Sequence, residues 1–127
     1  MTLALVMLAG ALGAPIRFAL ERAVARSTRV PFPWGTWIVN VTGSGALGVV
    51  AGLALRHGLS TSATAIAGTG FLGAYTTFST FVYEAVRLAE DRGDGRRGIA
   101  VAITYLASSV GIGIVAAIAG LAATGAF

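Results

Sequence analysis

Polar residues in this chain gather in three short stretches, and the apolar runs between them have lengths that suit a membrane. The first run covers about residues 3–20 and carries Gly10, Gly13 and Pro15, with Arg17 near its end. A proline inside a helix removes one backbone hydrogen bond, so Pro15 predicts a kink. A polar linker, residues 21–33, holds Arg22, Arg26 and Arg29 and closes on Pro31 and Pro33. The second run, about residues 34–55, opens on Trp34 and Trp37, where an interfacial aromatic belt belongs. Within it Asn40, Ser44, Gly48 and Gly52 recur every four residues, which puts two polar groups and a smooth small-residue groove on one face. Arg56-His57-Gly58 predicts a tight turn. The third run covers about residues 61–88, with Ser60 or Thr61 as its N-cap. A charged, glycine-punctuated loop follows, and the fourth run covers about residues 99–123. On its helix Tyr105, Ser109, Gly113 and Ala117 share a face, with Ser108 beside them. A single span needs about 20 apolar residues. The pattern therefore predicts an all-α integral membrane protein, one domain over residues 1–127 with four transmembrane helices.

The third run departs from what a lipid-facing helix would choose. It reads Gly68-Thr69-Gly70-Phe71-Leu72-Gly73-Ala74-Tyr75-Thr76-Thr77-Phe78-Ser79-Thr80-Phe81 and continues to Glu84. Each glycine lowers helix stability by about 1 kcal/mol relative to alanine, and the adjacent β-branched Thr76 and Thr77 add to that. Irregular backbone at membrane depth survives only where it is buried in protein or lines a watery cavity. The stretch from Gly73 to Thr77 thus predicts a break near the middle of the third helix, with freed carbonyls facing a buried site. Beyond it Phe78 and Phe81 lie three apart and share a face, and Thr80 and Glu84 lie one turn apart.

Composition agrees with the pattern: 56% of the 127 residues are hydrophobic and 11% are charged. The 18 glycines suit a membrane bundle, where small residues let helices approach closely. The absence of cysteine excludes disulfides, thiolate nucleophiles and thiolate metal sites. The net charge of +4 comes from arginines between the apolar runs, as loop charges do, so no nucleic-acid partner is implied. No basic region precedes the first run, which reads as a retained span. Gly43-Ser44-Gly45-Ala46-Leu47-Gly48 and Gly68-Thr69-Gly70-Phe71-Leu72-Gly73 match the dinucleotide fingerprint in letters alone. Neither follows a strand, and helix packing accounts for both. His57, the one histidine, sits in a turn, and no catalytic set or His-carboxylate metal cluster can be assembled around it. Nothing in the chain points to an enzyme.

The remaining chemistry lies inside the spans. Arg17 and Glu84 are ionisable residues within or at the edge of the membrane, which makes them functional candidates. Snorkelling to the interface is the alternative for Arg17. Asn40, a mid-span amide, is either an interhelical hydrogen-bonding group or a donor in an ion path. Ser79, Thr80, Tyr105, Ser108 and Ser109 together make a hydroxyl-rich lining. Phe78 and Phe81 would ordinarily be packing residues, but they follow the break and alternate with hydroxyls. A ring is electropositive at its edge. It can face an anion without the full charge that would trap it, and conduction needs binding that is favourable but weak.

Gly70-Phe71-Leu72-Gly73 followed by Thr76-Thr77-Phe78-Ser79-Thr80-Phe81 resembles the signature of the CrcB/Fluc family of fluoride channels. Gly13-Ala14 with Arg17-Phe18, then Gly35-Thr36, Asn40 and Gly43-Ser44, and finally Tyr105 with Ser109, extend the resemblance along nearly the whole chain. It implies a passive channel in the cell membrane that exports toxic fluoride, built as a dimer of two antiparallel subunits. It implies a structural Na⁺ at the dimer centre, held by backbone carbonyls of Gly73 and Thr76. It also implies that Phe78 and Phe81 line the fluoride path, with Asn40 as a donor at its narrow part. Gly113 departs from a polar position of some members. A small multidrug-type transporter is the alternative four-span reading, but it needs a carboxylate in the first span, and none precedes Glu21. A non-conducting structural subunit is a third.

The arginines bear on the partner. Arg22, Arg26, Arg29, Arg87, Arg92, Arg96 and Arg97 fall on one side of a four-span chain and Arg56 on the other, seven against one. Such a bias predicts a single orientation, with the arginine-rich loops cytoplasmic and both termini outside. An antiparallel pore would then take its other half from an oppositely oriented paralogue, with a homodimer as the alternative.

Overall fold

The structure, a computed structural model, describes residues 1–90 and 95–125, and every regular element among them is helical. The elements are α1 (Thr2–Ser27), α2 (Trp34–Arg56), α3 (Thr61–Thr64), a π-helical segment (Ala65–Leu72), α4 (Gly73–Tyr75), α5 (Ser79–Glu90) and α6 (Gly95–Ala123). Of these, α1, α2 and α6 are long and apolar enough to cross a membrane. Their outer faces carry exposed Leu3, Leu8, Leu12, Ile103, Ile114 and Val115, as lipid-facing surfaces do.

Two of these helices outrun the predicted spans. α1 passes through Pro15 and continues to Ser27, and α6 begins at Gly95. Polarity ends a span without ending a helix, because Glu and Arg are good helix formers. The arginine-bearing loop after α5 lies partly outside the described residues, Arg92 included.

Glycines decide how the helices meet. A Cβ on Gly48 would collide with the Ala117 carbonyl, and one on Gly120 with the Gly45 carbonyl. Trp37 Nε1 donates to Ser108 Oγ at 3.2 Å, so contacts between α2 and α6 advance together and the two run parallel. A Cβ on Gly13 would strike the Phe71 carbonyl, and one on Gly70 would lie 2.7 Å from the Val6 carbonyl. These contacts bring α1 alongside the π-helical segment, again in parallel.

The third run starts as predicted, with Ser60 Oγ accepting from the Ala63 N–H at 3.2 Å. Where the helix is interrupted differs from the sequence expectation. Gly73 is helical, with φ −63° and ψ −32°, and helical structure stops after Tyr75 and resumes at Ser79. Gly70 serves close approach to α1 rather than disruption, while the first extended residue is Thr76, at φ −79° and ψ 162°. A β-branched residue is more at ease in extended backbone than in a helix.

Candidate ion pathway

The non-helical residues 76–78 are held by specific partners. Thr76 closes α4, its N–H and Oγ1 both donating to the Leu72 carbonyl at 2.9 Å. Its own carbonyl accepts from Arg17 Nη1 at 3.1 Å. Thr77 is gripped twice by Asn40: its N–H donates to Oδ1 and its carbonyl accepts from Nδ2, each at 2.9 Å. In a continuing helix the Thr77 N–H would close on the Gly73 carbonyl. Asn40 takes that donor, so the Gly73 carbonyl loses its helical partner. Asn40 keeps a second N–H, since a primary amide has two. Thr77 Oγ1 then accepts from the Thr80 N–H at 3.3 Å and starts α5, with Thr80 Oγ1 3.2 Å and Ser79 Oγ 3.5 Å away.

These residues open onto one groove of about 500 Å³ between α2, the third run and α6. Asn40, Gly43 and Ser44 line it from α2, Gly73, Thr76, Thr77, Phe78 and Phe81 from the third run, and Ser109 and Gly113 from α6. Phe78 is 77% exposed and Phe81 only 9%. Their ring centroids are 6.2 Å apart. The Ser109 hydroxyl is buried and has no hydrogen-bond partner among the described residues. A buried polar atom normally has one, so this group is a donor in reserve.

From the groove a line of rings and hydroxyls leads toward the arginine-rich end. Phe81 lies 5.2 Å from Tyr105, which is fully buried. The Tyr105 hydroxyl donates to Glu84 Oε2 at 3.1 Å. Glu84 in turn borders two smaller cavities, of about 420 and 270 Å³, that Phe32 and Pro33 also line. Glu21 borders the second, with Oε1 buried and unpartnered among the described residues.

The family model described as "CrcB-like protein, Camphor Resistance (CrcB)" matches residues 4–121. The chain belongs to the CrcB family. It is similar to the protein named Fluoride-specific ion channel FluC 2 of Mycobacterium tuberculosis (strain ATCC 25618 / H37Rv), 46% identical over 115 residues, which is 91% of this chain and 84% of the relative. It is 55% identical to Fluoride-specific ion channel FluC 1 of Leifsonia xyli subsp. xyli over 87 residues, 68% of this chain and 64% of that one. With FluC 2 of Clostridium acetobutylicum the identity is 38% over 110 residues, 87% and 86% of the two chains. With three helices able to span, this CrcB protein is a multi-pass membrane protein.

In this CrcB chain the site residues named from sequence fall into three places. Asn40, Gly73, Thr76, Phe78, Phe81 and Ser109 share the groove. Tyr105 and Glu84 form the pair beyond Phe81. Arg17, Ser79 and Thr80 do not line the groove; Arg17 meets the interruption through the Thr76 carbonyl, and Ser79 and Thr80 surround the Thr77 hydroxyl. Sequence reasoning overlooked Thr77 as the residue Asn40 holds and Gly43 as the surface that admits Thr76. A Cβ on Gly43 would strike the Thr76 methyl. Gly43 lies three residues after Asn40, on the same helical face, and that spacing was the available signal.

Proposed function

We propose that this chain is one half of a fluoride channel that lets fluoride leave the cytoplasm down its gradient, without catalysing a reaction. The observation that carries the reading is the shared groove of Phe78, Phe81, Asn40 and Ser109. It holds two rings, electropositive at their edges, a spare amide N–H and a hydroxyl without a partner among the described residues, all weak donors for a small anion and none a full charge. The relatives named fluoride-specific ion channels support the choice of anion.

The third run is read here as a membrane crossing broken at residues 76–78. The groove is open on one side, and a 77% exposed Phe78 beside polar groups suits a protein partner better than lipid. A second subunit in antiparallel orientation would cover it and complete the path. The arginine asymmetry favours an oppositely oriented paralogue over a second copy of this chain.

The residues at the interruption also suit a structural Na⁺. The Gly73 carbonyl has lost its helical donor to Asn40, and Gly73 and Thr76 both border the groove. Neutral backbone oxygens of unwound segments are the usual cation ligands at membrane depth. Among the described residues no cluster of acidic or histidine side chains competes for that part.

The test is fluoride efflux from liposomes carrying the purified protein, alone and with a co-expressed paralogue, against chloride as the control anion. Fluoride efflux from either preparation supports the reading. Efflux from neither, with folded protein inserted, overturns it.

A further inference from the structure

We propose that Arg17 sets the cation preference of the interrupted segment by sharing the Thr76 carbonyl with the bound ion. This rests on the reading of Gly73 and Thr76 as Na⁺ ligands. Arg17 Nη1 donates to the Thr76 oxygen at 3.1 Å across a sequence separation of 59 residues, and the side chain is half-buried. A carbonyl oxygen has two lone pairs, so one guanidinium does not exhaust it. A cation on the second lone pair would lie about 4–5 Å from the guanidinium, where partly buried like charges repel enough to weaken binding about tenfold or more. The free-energy penalty doubles for a divalent ion. Glu21, one turn further along α1, interacts electrostatically with Arg17 and offsets part of that charge. Arg17 therefore lowers the site's affinity for Na⁺ and lowers that for Ca²⁺ by a larger factor. It acts through the Thr76 oxygen rather than by lining the groove.

The experiment reads thermal unfolding of the purified assembly in N-methylglucamine buffer as NaCl or CaCl₂ is added, for wild type, Arg17→Gln and Arg17→Lys. Wild type should be stabilised by Na⁺. In Arg17→Gln the half-effect Na⁺ concentration should fall about tenfold or more, and that of Ca²⁺ by a larger factor. Arg17→Lys keeps the charge and should stay near wild type. An unchanged or raised Na⁺ requirement in Arg17→Gln overturns the inference and leaves the Na⁺ reading standing. A half-effect Ca²⁺ concentration that falls no further than that of Na⁺ also overturns it. No Na⁺ response in wild type overturns both.

Discussion

Asn40→Ala isolates the pair of hydrogen bonds that holds Thr77. The substitution removes two contacts of 2.9 Å and leaves the N–H and carbonyl of a 9% exposed residue without their partner. A net hydrogen bond is worth about 0.5–1.5 kcal/mol, and more where the orphaned group stays buried. Interhelical bonds inside membranes average nearer 0.6 kcal/mol. With about 1 kcal/mol for each, because the Thr77 groups left without a partner stay buried, the two come to about 2 kcal/mol, or about a 30-fold shift in local opening. Hydrogen exchange of a peptide spanning residues 73–81 reads that shift directly. The Thr77 amide should exchange about 30-fold faster in Asn40→Ala, and fluoride efflux should fall with it. Ser44→Ala is the control on the same face. It loses a bond to the Asn40 carbonyl at 2.8 Å but leaves the amide in place, so Thr77 should stay protected. Wild-type exchange at Thr77 in Asn40→Ala would refute the idea that this side chain holds the interruption open.

The two phenylalanines should separate by stability though both lower efflux. Phe78→Ala, at a 77% exposed position, should leave the melting temperature nearly unchanged, whereas Phe81→Ala, packed on Tyr105, should cost about 3 kcal/mol. Melting curves beside efflux assays separate the two, and normal efflux from the double variant would make them packing residues only. Gly48→Val should prevent a folded bundle at a cost of about 3 kcal/mol, because its Cβ meets the Ala117 backbone. Gly73→Ala should lie within about 1 kcal/mol of wild type, its nearest neighbour being the Gly68 carbonyl at 3.7 Å; denaturation in detergent checks both. A C-terminal reporter active on only one side of the membrane should report the outside. Equal signals on both sides, with fluoride flux from this chain alone, would remove the case for a paralogue.

Whereas α1 and α6 run on through residues whose polarity reads as loop, the apolar runs and the small-residue faces were legible in the amino-acid order, because hydropathy and helical period are local properties. So was the presence of an unusual third run, since Gly68 to Phe81 violates helix preference within a few residues. Its exact form was not local. Gly73 looked like the point of disruption, yet it is helical, because a single glycine weakens a helix without ending one. What ends it at Tyr75 is a partner 37 residues away, Asn40, which offers the Thr77 backbone a better arrangement than the next helical turn. Arg17 likewise reads from sequence as an isolated charge, and only packing of α1 against the third run brings it to the Thr76 carbonyl. Periodicity placed Asn40, Ser109 and Phe81 on faces of three different helices. Which faces meet is decided by where a missing Cβ lets backbones touch, at Gly13, Gly48, Gly70 and Gly120, and that is a property of the packed bundle alone.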